Sequence, residues 1–100
     1  MIIRIVKMEV KDSEIENFKS MIQSIQDKIE SFDGCHSVNI LCDKNQSNRF
    51  FSYSSWETEQ HLNDYRKSEF FVEIWSEVKK FFIKEAQAWT VEDAFNGVIE

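Results

Sequence analysis

A chain of 100 residues supports one core, and it buries only about two-thirds of the surface that it exposes when unfolded. Its net charge of −6 excludes the positive footprint that phosphate backbones require, so nucleic acid is not an expected partner. No run of about 18 apolar residues predicts a membrane span, and MIIRIVKMEV lacks the organisation of a signal peptide, so a cytoplasmic protein is expected.

MIIRIVKMEV is rich in β-branched residues and predicts a strand over about residues 2–10. Ile3 and Ile5 fall on one face, and Val6, Met8 and Val10 on the other. Ser13 followed by Glu16 is a capping-box pattern. Ile15, Phe18, Ile22, Ile25, Ile29 and Phe32 then recur at spacings of three and four, in a stripe roughly 100° wide. This predicts one long amphipathic helix ending at Asp33-Gly34, where glycine takes the left-handed cap.

CHSVNILC (35–42) and RFFSYSSW (49–56) predict two strands joined by the polar turn DKNQSN, a hairpin. In a straight strand Cys35 and Cys42 lie roughly 23 Å apart on opposite faces, too far for a disulfide. Neither has metal-site spacing, so both read as structural thiols and no metal is expected. TEQHLNDYRKS predicts a short helix capped by Thr58 or Ser55. From Ser68 onward, Phe70, Phe71, Ile74, Trp75, Val78, Phe81 and Phe82 cover about 140° of a helical wheel. Glu85 falls inside that stripe, so the buried part of the helix is over by there. AQAWTVEDAF closes as a strand near 86–92, and residues 93–100 form a tail.

The order β-α-β-β-α-α-β predicts a single α+β domain, ferredoxin-like, with helices on one face of a four-stranded antiparallel sheet. Both faces of the strands are apolar, whereas a sheet with one wet face alternates with charge. A second copy covering the bare face, as a homodimer, accounts for this. The alternative is that Phe95, Val98 and Ile99 fold over it.

The run FSYSSWETEQHLNDYRKSEFF, with Trp56-Glu57 closing a strand and Ser68 to Phe71 leading into the next helix, resembles the antibiotic biosynthesis monooxygenase family. The element order agrees over about residues 1–92. The resemblance implies a dimeric α/β barrel, in which two four-stranded sheets pack face to face, with a pocket between sheet and helices in each subunit. Members of the family oxidise aromatic polyketides without metal or flavin, degrade haem, or act as isomerase-like proteins. In the haem-degrading relatives an asparagine, a tryptophan and a histidine form the site. Lys7, Tyr65 and Trp75 stand at those positions here, and tryptophan does not ligate iron, so no cofactor is expected.

His61 and Tyr65, four apart on the short helix, are the candidate catalytic pair, able to orient a substrate oxygen or move its proton. The plainer alternative is a half-exposed histidine beside a core tyrosine. Trp56, Tyr53, Phe71 and Trp75 are candidate substrate-binding residues, suited to a planar ring and offering tyrosine hydroxyl and indole N–H handles. Aromatics at these positions serve a core equally well, and the facing of Tyr53 and Asn39 is left open. His36 reads as a surface or interface histidine. The function expected is a cofactor-independent monooxygenase-like protein acting on a small phenol- or quinol-type aromatic. The alternative is a non-catalytic homodimeric barrel that binds a small molecule, and a purely structural dimer predicts no open cavity.

Overall fold

In the computed structural model, which describes residues 1–95, the strand β1 (Ile2–Glu9) is flanked by β3 (Arg49–Trp56) and β4 (Gln87–Val91). The strand β2 (Cys35–Cys42) completes a four-stranded sheet of order β2-β3-β1-β4, antiparallel throughout. Helix α1 (Ile15–Glu30) joins β1 to β2, and helices α2 (Glu59–Lys67) and α3 (Glu69–Val78) join β3 to β4. This is the ferredoxin-like α+β arrangement that the sequence predicts.

The register assigns each side chain to a face. Trp56, Ser54, Ser52 and Phe50 of β3 stand opposite Ile2, Arg4, Val6 and Met8 of β1. Val38 and Ile40 continue that face on one side, and Ala88 and Thr90 on the other. Because side chains alternate along a strand, these residues all lie under the helices. The core forms at the Met8 end, where Met8, Val10, Phe18, Ile22, Phe50 and Val78 pack together. The Phe18 ring lies 4.9 Å from Phe50 and 6.0 Å from Phe81, centroid to centroid.

Three local expectations need correction. The capping box does not form: Asp12–Glu14 make a 3-10 turn, no side chain caps α1, and Ser13 sits inside that turn. Helix α1 stops at Glu30, and Gly34 (φ 81°) takes the left-handed conformation in the turn beyond it. A β-bulge between Cys35 and Ser37 breaks the alternation of β2, so Cys35 aligns with Trp56 and Cys42 with Phe50, not on opposite faces. Both thiols are free. The Thr58 cap is as expected, its hydroxyl accepting the His61 N–H (3.2 Å), and Ser68 also caps α3, its hydroxyl accepting the Phe71 N–H (3.1 Å).

No helix of the described residues covers the other sheet face, although Ile3 is buried there. Ile3, Ile5, Leu41, Phe51, Tyr53, Trp89 and Val91 project from it, with Leu41 50%, Trp89 45% and Val91 39% exposed. Phe95 is 91% exposed and gives the face no cover; Val98 and Ile99 lie outside the described residues. Among the described residues no helix is long and apolar enough to cross a membrane.

One end of this face carries a buried carboxylate. Glu9 has the Lys84 ammonium at 2.7 Å and the Arg49 guanidinium at 3.6 Å, and Gln46 donates to it at 2.9 Å. The Lys84 contact first, against the opposing effect of burial, and then Gln46 and Arg49, hold this carboxyl below its ordinary value of 4.5. A depressed native value means that the cluster stabilises fully above the unfolded value and loses that stabilisation as pH falls through the native one. Chemical denaturation across pH should therefore show Glu9→Gln with a shallower loss of stability below about pH 5 than the wild type. Identical slopes would remove Glu9 from the acid response.

Candidate functional site

The inward face of β3 reads Phe50, Ser52, Ser54, Trp56: large, small, small, large. Ala88 on β4 lies across β1 from this strand, opposite Val6. Helices resting on the large ends cannot reach the small middle. The result is a cavity of about 340 Å³ between the sheet, α1 and α3. That volume lies within the usual range of small-molecule sites, roughly 300–1,000 Å³. Its roof is Ile22, Ile25 and Ile29 from α1 and Ile74, Trp75 and Val78 from α3, with Leu62 and Tyr65 closing the α2 side. The interior is open, not solid.

One wall is a continuous aromatic run. The Trp56 indole stacks on Tyr65 with centroids 5.0 Å apart and planes inclined by 26°. Tyr65 meets Phe71 edge-on at 5.1 Å, and Phe71 lies parallel to Trp75 at 5.9 Å. Phe32 backs Tyr65 from the end of α1 at 4.9 Å. Such offset and edge contacts add about 0.5–1.5 kcal/mol each beyond their area. The wall is therefore stiff.

Its polar groups are few. Trp56 is fully buried, and its indole N–H donates to Ser54 Oγ at 3.0 Å, so that handle is occupied. The Tyr65 hydroxyl has no hydrogen-bond partner among the described residues. Burial, and secondarily the Cys35 thiol, push it far above the usual tyrosine range. At neutral pH it is a proton donor, not a base. Burial, and then Glu30, likewise push the Cys35 thiol up, away from thiolate chemistry. Two cations also line the cavity, Arg4 from β1 and Arg66 from α2, with Arg4 Nη1 donating to Thr90 Oγ1 at 2.8 Å.

Of the residues singled out from the sequence, Trp56, Tyr65, Phe71 and Trp75 come together around this one cavity. Tyr53 does not: it pairs with Ile5 and Asn39 and faces the bare side of the sheet. His61 does not either. Its Nδ1 lies 2.7 Å from Thr58 Oγ1 and its Nε2 3.5 Å from Asp33 Oδ2, because the ring folds back over its own N-cap. Helical spacing brings His61 and Tyr65 onto one side of α2 without giving them a common target. His36 is exposed and bonded to Glu57, and Lys7 faces away from Tyr65 and Trp75. No cluster of three His, Cys, Asp or Glu among the described residues is disposed to hold a metal. The reading of the sequence missed both arginines and the serine pair. Their signals were a lone charge on an inward position of an apolar strand, and the large-small-small-large order on β3.

Comparison with known proteins adds a family and a fold. Residues 1–75 match the family model described as antibiotic biosynthesis monooxygenase. No curated protein matches the chain significantly. Among solved structures, one named as an antibiotic biosynthesis monooxygenase superposes with a TM-score of 0.86 at 13% identity, over 94% of this chain and 99% of that one. A protein from Deinococcus radiodurans, named as a candidate member of the same group, gives 0.87 at 13% identity over 100% and 99%. A conserved protein from Methanosarcina mazei Go1 gives 0.85 at 21% identity over 91% of each chain. At such identities the likeness is one of fold.

The His61 ring does have a structural partner. It packs on Gly34, where a Cβ would stand 2.3 Å from its Cγ, and Gly34 already has φ 81°. Gly34→Ala should therefore cost at least about 1–2 kcal/mol from the left-handed backbone alone, with the clash added. Thermal unfolding of Gly34→Ala and of Gly34→Ala/His61→Ala should show a lowered midpoint in both and partial recovery in the double variant. An unchanged midpoint in Gly34→Ala contradicts this packing.

Proposed function

The chain belongs to the antibiotic biosynthesis monooxygenase family, and we propose that it is a homodimeric, cofactor-independent monooxygenase-like enzyme that oxidises a small phenol- or quinol-type ring. The observation that carries the reading is the partly open aromatic cavity with an unpartnered tyrosine hydroxyl at its wall. One such domain per protomer, acting in the cytoplasm, completes the proposal.

In this scheme the substrate ring lies against Trp75 and Phe71, and its oxygen accepts a hydrogen bond from Tyr65. Trp56 supports Tyr65 from behind. Dioxygen adds to the electron-rich carbon of the ionised ring. For a phenol with a free para position, the sum is phenol plus dioxygen giving quinone plus water. The substrate supplies all the electrons, so no external reductant enters. Apolar walls exclude water from the intermediate, and the fixed hydroxyl meets charge as it builds on oxygen. His61 takes no part, since its ring is engaged at Thr58 and Gly34.

The dimer rests on the bare sheet face. Leu41, Trp89 and Val91 are too exposed there for a face that stays wet, and a second sheet packed on it closes the barrel that the family resemblance implies. Trp89→Glu should shift the species seen by sedimentation from dimer to monomer. A wild-type chain that sediments as a monomer removes this part of the proposal.

A second reading, a non-catalytic barrel that binds the same class of molecule, has one observation in its favour: among the described residues no carboxylate, histidine or thiol lines the cavity. Oxygen uptake with a panel of phenols and quinols separates the two readings. The enzyme consumes oxygen in step with substrate, and Tyr65→Phe slows turnover roughly 10- to 100-fold, the scale of a hydrogen bond to a charged group. Saturable binding without oxygen uptake favours the binder, and an unchanged rate in Tyr65→Phe removes Tyr65 from the chemistry.

A further inference from the structure

We propose that Arg4 and Arg66 form a recognition site for an oxyanion, so that the cavity takes apolar molecules carrying a carboxylate or phenolate in preference to their neutral counterparts. This rests on the cavity being a ligand site, and it adds the charge class of the ligand.

The charge distribution runs against that of the whole chain. The protein holds 18 acidic residues and a net charge of −6, yet among the described residues the charged side chains lining the cavity are two arginines. Arg4 rises from the inward face of β1, half-buried, next to the Ile2–Trp56 pair. Arg66 follows Tyr65 on α2 and lines the same cavity, near enough to Arg4 for their charges to act on each other.

Neither arginine is neutralised. Arg4 spends one donor on Thr90, and no carboxylate among the described residues comes within ion-pair distance of either guanidinium. A partly buried charge without a counter-charge is costly. The two groups also act against each other: burial first, and then the Arg66 charge, push Arg4 below its ordinary value. A structural arginine in such a place normally has an acidic neighbour. Here both costs persist in the free protein and are relieved only when an anion arrives.

The geometry of the guanidinium selects the anion. Its paired N–H donors match the two oxygens of a carboxylate and meet a single phenolate oxygen from two sides. With the head held there and by Tyr65, the apolar body extends toward Ile25, Ile74 and Val78. No base is then required in the cavity, because two neighbouring cations favour the ionised form of a weakly acidic ligand.

Two matched pairs of probes test this by tryptophan-fluorescence titration of the purified chain: naphthoate against naphthamide, and dinitrophenolate against dinitroanisole. We expect the anion of at least one pair to bind about tenfold or more tightly than its neutral partner, as charge-assisted bonds require. The pair that shows this identifies the head group. The preference should weaken with added salt and disappear in Arg66→Met, an exposed position whose loss leaves the fold intact, and in Arg4→Met. Equal affinity within both pairs overturns the arginine site while leaving the cavity as a neutral-ligand site. A preference unchanged in both variants also overturns it. Binding of no probe overturns both, whereas anion binding without oxygen uptake keeps the arginine site and removes only the oxidation chemistry.

Discussion

The stacking of Trp56 on Tyr65 is the contact on which the site depends. Trp56 closes β3 and is wholly buried; Tyr65 sits one helix later, and their rings fix the distance between sheet and α2. Phe50 does the same at the other end of β3 by packing under Phe18. Between these two supports stand only Ser52 and Ser54. Backbone geometry then enforces the rest: a helix of regular pitch cannot dip into the gap, and the gap persists as a cavity. Filling it with larger side chains at the serine positions would give a conventional core.

The same alternation creates the bare face. With Phe50 and Trp56 pointing inward, Phe51 and Tyr53 must point outward, and β1 places Ile3 and Ile5 beside them. A register slip of one residue would exchange the two sets and destroy core and cavity together. Cavity and exposed apolar face are therefore two results of a single register.

Much of the fold was legible because it rests on local rules. Helical stripes, the polar turn between β2 and β3, and the cap at Thr58 all depend on neighbours within a few residues. What failed depended on relations that periodicity does not carry. The bulge between Cys35 and Ser37 displaces the first residue of β2 without any mark as plain as a proline, and Tyr53 could be assigned a face only once its partners Ile5 and Asn39 were known. His61 shares a helix side with Tyr65, but hydrogen bonding to Thr58 turns its ring elsewhere. Trp56, Tyr65, Phe71 and Trp75 were found because aromatic residues crowd one segment, whereas Arg4 and Arg66 are sixty-two positions apart in the chain and meet only in space. Electrostatics at this site is a tertiary property. Its chemistry follows from that: positive charge and one hydroxyl donor can stabilise negative charge on a bound ring, while none of the described lining residues is a carboxylate, histidine or thiol base.

The central claim, that the hollow under the helices is where a ring binds, is tested most directly by methyl NMR on isoleucine-labelled protein titrated with naphthol. Ile22, Ile25, Ile29 and Ile74 line the cavity, while Ile3 and Ile5 lie across the sheet. The account predicts saturable shifts of the first group with the second unmoved. Shifts confined to Ile3 and Ile5, or none at any isoleucine, would contradict it.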